Sequence, residues 1–155
     1  MTFAIGTISH ATLRSDDLIS AFAPVLSEMD KNETYSSLLS DATSWLEEQD
    51  DDTENHPGEQ QTGSEIVNEL IDALNDLAPP FTYFGNTEGD GSDFGFWPDL
   101  ESLEQAARDD DDVIKVSDSS EIPTGFNGLV MLVNDHGNVT LFEPKIEYQE
   151  IWAIV

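Results

Sequence analysis

The sequence predicts an α+β domain: a mostly antiparallel sheet, built largely from the C-terminal half, packed against three or four helices. Three observations predict it. Between residues 15 and 77 apolar side chains recur at helical spacing. The last third holds short β-rich segments separated by turn residues. The 155 residues are 38% hydrophobic, with eight Phe, three Trp and three Tyr, enough for one buried core.

Thr2 to Ile8 reads as an opening strand. Ser15 is placed to cap a first helix whose opening turn holds Asp16 and Asp17, favourable at the positive end of the helix dipole. Leu18, Phe22, Val25, Leu26 and Met29 form its apolar face, and Pro24 should kink it. A second helix, about Asn32 to Gln49, buries Tyr35, Leu38, Leu39, Ala42, Trp45 and Leu46. From 47 to 63 the composition becomes acidic and loses its apolar residues, which predicts a mobile loop.

Order resumes at Thr62-Gly63-Ser64-Glu65, a capping-box pattern. The helix it opens runs to Leu77 before Pro79-Pro80, with Ile66, Leu70, Ala73, Leu74 and Leu77 on its apolar face. Phe81 to Phe84 reads as a strand, Gly85 to Gly95 as a glycine-rich turn, and Asp99 to Arg108 as a short helix. Val113–Val116, Gly128–Val133, Val139–Phe142 and Ile151–Val155 read as strands. The wholly apolar Leu129–Val133 suits a central strand covered on both faces, and Asn134–Asn138 is turn chemistry. Trp45 and Trp152 are expected in the core; Trp97 is either a core anchor or an exposed contact. One domain, 1–155, is expected.

Charge is the anomaly. Against 33 acids stand only Arg14, Lys31, Arg108, Lys115 and Lys145, a net of −28. Residues 1–60 hold 13 acids and two bases, net −11; residues 61–112 hold 14 and one, net −13; residues 113–155 hold six and two, net −4. Such a chain repels phosphate backbones and anionic lipid, which argues against direct contact with nucleic acid or membrane, and it attracts basic surfaces. There is no Cys, so thiolate metal sites and a cysteine nucleophile are excluded. No stretch has the length and apolarity of a signal peptide or membrane span, so a cytoplasmic protein is expected. His10, His56 and His136 show no metal-binding spacing, and the acids are too many to nominate a catalytic pair. A non-catalytic, cofactor-free protein is expected.

The candidate site is a row of carboxylates. Glu65, Glu69, Asp72 and Asp76 follow i, i+4, i+7, i+11 and share one helix face opposite the apolar stripe. A second row is offered by Asp109, Asp110, Asp111 and Asp112, while Trp97, near Asp90, Asp93 and Asp99, would anchor an acidic interface if exposed. A globule of this length is roughly 40 Å across. That span of duplex DNA carries roughly 24 phosphates, so the net charge is of the right size for a mimic.

Gly6 to Arg14, Ala78 to Trp97 (APPFTYFG and GDGSDFGFW) and Val133 to Val155 (VNDHGNVTLF and EIWAIV) resemble a group of small acidic, uncharacterised bacteriophage and prophage proteins. The resemblance implies a mobile-element origin and assigns no functional residue. Phages encode acidic DNA mimics, so the expectation is a non-catalytic inhibitor of the anti-CRISPR or anti-restriction type. It would occupy the basic groove of a host nucleic-acid-binding protein, in the host cytoplasm. A homodimer would lengthen the charged surface. Two alternatives stand beside it. One is an acidic surface adapted to high salt; the other is a calcium site at Asn86–Gly91, where oxygen donors occupy positions 1, 3 and 5 and glycine position 6 of an EF-hand-like loop.

Overall fold

The computed structural model describes residues 5–50, 62–144, 152 and 154. They form an α+β fold with four α-helices and two small sheets, in two compact units, Met1–Pro98 and Asp99–Val155. No helix among the described residues is long and apolar enough to cross a membrane.

In the first unit, β1 (Gly6–Ser9) leads to α1 (Ser15–Met29), α2 (Ser36–Asp50), α3 (Gly63–Asp76), β2 (Thr82–Thr87) and β3 (Asp90–Pro98). The predicted apolar faces meet here. Leu18, Ile19, Phe22 and Leu26 of α1 pack with Leu38 and Ala42 of α2, and with Ile66, Leu70, Ala73 and Leu74 of α3. Phe22 sets its ring edge-on to Phe84 (centroids 4.9 Å apart) and tilted against Phe94 (5.5 Å), so α1 is locked onto the β2–β3 hairpin. Offset and edge-to-face pairs of this kind add to the burial of the rings themselves.

Local chemistry sets the helix ends, and not always as the sequence suggests. The capping box before α3 is present: Thr62 Oγ1 accepts from Glu65 N while Glu65 Oε2 accepts from Thr62 N. At α1 the expected Ser15 cap is absent. Ser15 is already helical, and Arg14 occupies the cap position without a side-chain cap. Thr12 organises the approach instead, accepting from Arg14 N and donating to Asp17. α1 runs continuously through Pro24, which lies on its exposed side. α2 starts four residues later than expected because the buried Asp30 carboxylate accepts from Thr34 N and Tyr35 N, which folds 30–35 into a turn. It also continues through Glu47-Glu48-Gln49 to Asp50, so the start of the expected 47–63 loop is helical. Residues 51–61 of that loop, 2–4 of the expected first strand, and 145–151, 153 and 155 lie outside the described residues.

The larger correction concerns Gly85–Gly95. It is a hairpin, not a glycine-rich turn: β2 pairs antiparallel with β3 from Thr82↔Pro98 to Asn86↔Phe94, and only Glu88-Gly89 turn between Thr87 and Asp90. The glycines misled because one of them serves a strand. A Cβ on Gly95 would run into the Gly6 carbonyl oxygen, so glycine is what lets β1 lie against β3. The sheet order is β1-β3-β2. The hairpin also removes the EF-hand-like loop, since residues 86–97 belong mainly to two paired strands.

The second unit holds α4 (Leu100–Asp109), β4 (Val113–Val116), a 3-10 turn at Ser119–Glu121, β5 (Leu129–Val133) and β6 (Val139–Phe142). β5 is central, parallel to β4 and antiparallel to β6. Its neighbours Val130 and Met131 face opposite sides, and both are buried, as the apolar run implies. Asp99 caps α4 by accepting from Ser102 N and Oγ. Lys115 on β4 reaches Glu104 on α4 at 2.6 Å. Trp152, expected in the core, is 76% exposed and in no strand. Of the expected strand Ile151–Val155, residues 151, 153 and 155 lie outside the described residues.

Candidate functional site

α3 is the element that orders charge. Its buried residues, Ile66, Val67, Leu70, Ala73 and Leu74, fix the rotation of the helix, and that rotation turns Glu65, Glu69, Asp72 and Asp76 to solvent together. The four span about 16 Å at a rise of 1.5 Å per residue. They are not equivalent. Glu65 is engaged in the capping box, and Asp76 accepts a short hydrogen bond from the Tyr35 hydroxyl just before α2. That bond and the carboxylate's charge push the Tyr35 hydroxyl above the ordinary tyrosine range. Asp76 is therefore a bracing residue as well as a charge, which the sequence does not reveal because its partner is 41 residues away.

Asp109, Asp110, Asp111 and Asp112 are all exposed at the corner between α4 and β4 in the second unit. Asp109 ends the helix and accepts from Gln105; Asp112 uses its carbonyl to accept from Leu129 N. Gly128 backs this corner, since a Cβ there would strike the Asp112 carbonyl. The α3 row and the aspartate corner thus belong to separate units, each ordered by its own core. Trp97 is half-buried and donates from Nε1 to the Gly85 carbonyl at 2.9 Å, so the indole is tied to the hairpin by its polar edge.

Several other acids have local work. Asp30, Asp90, Asp99 and Asp118 each accept from nearby backbone N–H groups, and for the last three hydrogen bonds from Ser92, Ser102 and Ser120 hold the carboxyl below its ordinary value. Arg14 and Lys115 are in ion pairs with Asp16 and Glu104, so little positive charge is left to offset the rest.

The placement of charge along the helices is the least ordinary feature. α1, α2 and α3 have no base in their last turn, while Glu28, Glu47, Glu48 and Asp76 lie at or next to those ends. Acid at the negative end of a helix dipole is unfavourable, typically by about 0.3–1 kcal/mol at exposed sites. Only α4 ends with a base, Arg108. Among the described residues no three His, Asp or Glu side chains converge as metal ligands. Asp135 and His136 sit on an exposed turn, where the Asn134 side chain accepts from the backbone N–H groups of His136 and Asn138.

No family model, curated protein or solved structure matches this chain.

Proposed function

We propose that this protein is a non-catalytic inhibitor that imitates the charge of nucleic acid and occupies the basic groove of a host nucleic-acid-binding defence protein, of the anti-CRISPR or anti-restriction type. The observation that carries the reading is the α3 row: four carboxylates exposed on one face of a helix whose rotation is fixed by a buried core. A rigid row costs less ordering on binding than flexible acids would. Glu69 and Asp72, between the capping Glu65 and the bracing Asp76, are its central charges, and Asp109–Asp112 supply a second cluster. Acid crowding at helix ends supports the same reading, because a cationic groove would favour the negative charge gathered there.

The test is an affinity capture from the natural host at low salt, followed by elution with duplex DNA. A basic nucleic-acid-binding protein released both by DNA and by salt supports the proposal. An acidic or neutral partner that ignores both overturns it.

A further inference from the structure

Eight asparagines are spread along the chain, and Asn127 alone is followed by glycine. Asparagine is thermolabile because the next backbone nitrogen can attack its side-chain amide, and a following glycine shields that nitrogen least. Local structure decides whether the attack is open. Asn127 is exposed and lies in the irregular segment between the 3-10 turn and β5. Among the described residues, nothing hydrogen-bonds its carboxamide or the Gly128 N–H. Other sites are held. Asn75 is locked onto Phe84, and the Asn134 carboxamide accepts from His136 N and Asn138 N. Asp90 also precedes a glycine, but its carboxylate accepts from Ser92 N and Oγ within β3.

Packing explains why glycine stands at 128. A Cβ there would run into the Asp112 carbonyl and the Phe126 ring. Without one, Leu129 N reaches the Asp112 carbonyl at 2.8 Å, at the start of the parallel ladder that pairs Val113 with Leu129. The contact that demands glycine therefore also leaves Asn127 labile.

We propose that Asn127 is a self-modification site, where the chain converts a neutral amide into a carboxylate one residue before the glycine that packs on Asp112. The Gly128 nitrogen loses its proton to solvent and bonds to Asn127 Cγ. The Cγ–Nδ2 bond breaks and ammonia leaves with a proton from solvent, closing a succinimide ring. Water then opens the ring. Cleavage of the new N–Cγ bond gives aspartate; cleavage of the original peptide bond gives isoaspartate, whose main chain is longer by a methylene. Either product adds a negative charge beside the Asp109–Asp112 corner. Isoaspartate also displaces Leu129 from the Asp112 carbonyl and loosens β5 from β4. The reaction consumes only water and needs no partner, so it stands or falls apart from what the acidic rows bind.

The experiment ages the full chain in warm, mildly alkaline buffer and maps it with trypsin. Cleavage after Lys115 and Lys145 releases Asn127, Asn134 and Asn138 in one peptide. Fragment masses are expected to place loss of ammonia and gain of water at Asn127, at least about tenfold faster than at either other asparagine. Asn127→Gln is expected to stop the reaction and keep the fold, because the larger ring closes slowly. Amides of Val113–Val116 and Leu129–Val133 are expected to exchange faster in the aged chain than in Asn127→Asp, which carries the charge without the added methylene. An Asn127 that stays intact while the free 116–145 peptide converts overturns the proposal, because the fold then shields it. So does conversion spread evenly over the three asparagines, or exchange that is equal in the aged chain and Asn127→Asp.

Discussion

Asn75 holds Phe84 by both backbone polar groups, its carboxamide donating to the carbonyl and accepting from the N–H. One side chain thereby closes the outer edge of β2 and fixes α3 against the hairpin. Asn75→Ala leaves two backbone groups of a buried residue unpaired, and should cost about 2–4 kcal/mol in urea unfolding. Asn75→Asp keeps an acceptor but cannot donate to the carbonyl, so it should be comparably harmful despite its small change in shape.

Gly63 opens α3, where alanine would ordinarily be the better helix former. A Cβ there would sit 2.5 Å from the Trp45 ring and 2.7 Å from Ser15 Cβ. Gly63→Ala should therefore destabilise by about 1–3 kcal/mol, against its propensity, and shift Trp45 fluorescence. An unchanged midpoint would mean that the three helices meet more loosely than described.

Reversing the centre of the α3 row separates binding from folding. Glu69→Lys with Asp72→Lys should lower affinity for a basic nucleic-acid-binding partner by at least about tenfold at low salt, with the difference shrinking as salt rises. For Asp72→Lys alone, melting temperature should hold or rise slightly, because Lys toward the negative end of the helix is favourable. Glu88→Lys, on the hairpin turn, is the control and should change binding little. Asp76 is better left in place, since reversing it also removes the Tyr35 contact.

Two pH limbs follow from the shifted groups. Tyr35 is raised, so what its bond to Asp76 contributes is complete below the ordinary tyrosine value and is lost as pH rises through the higher folded one. Absorbance titration should show one tyrosine ionising above about 10, absent in Tyr35→Phe. Asp99 is lowered by Ser102, so its contribution is complete above the ordinary carboxylate value and lost as pH falls through the depressed one. Asp99→Ala should be less stable near neutrality, and the gap to the unmodified chain should close toward acid pH.

How much of this was legible in sequence depended on distance along the chain. Thr62 with Glu65 is a local signal, and that cap formed as its spacing implies. The exposure of the α3 row was legible too, because the periodicity of Ile66, Leu70 and Leu74 fixes the opposite face. What failed depended on partners far away. Gly95 reads as a turn residue until Gly6 is laid beside it; the Asp30 turn is the local exception, its donors Thr34 and Tyr35 only a few residues on but hidden by the helical pattern that overlaps them. Asp76 looked like its three neighbours on the row until Tyr35 was placed against it. Trp152 shows the converse: an apolar side chain expected in the core that is exposed.

The packing of Phe22 against Phe84 and Phe94 has a consequence for synthesis. α1 and α2 leave the ribosome first, yet the aromatic hairpin that covers α1 follows some seventy residues after Phe22. At about 5–20 residues per second, Phe22 waits several seconds for the hairpin rings that it packs against. The same carboxylates that burden the finished helices oppose contact between unfinished chains over that interval.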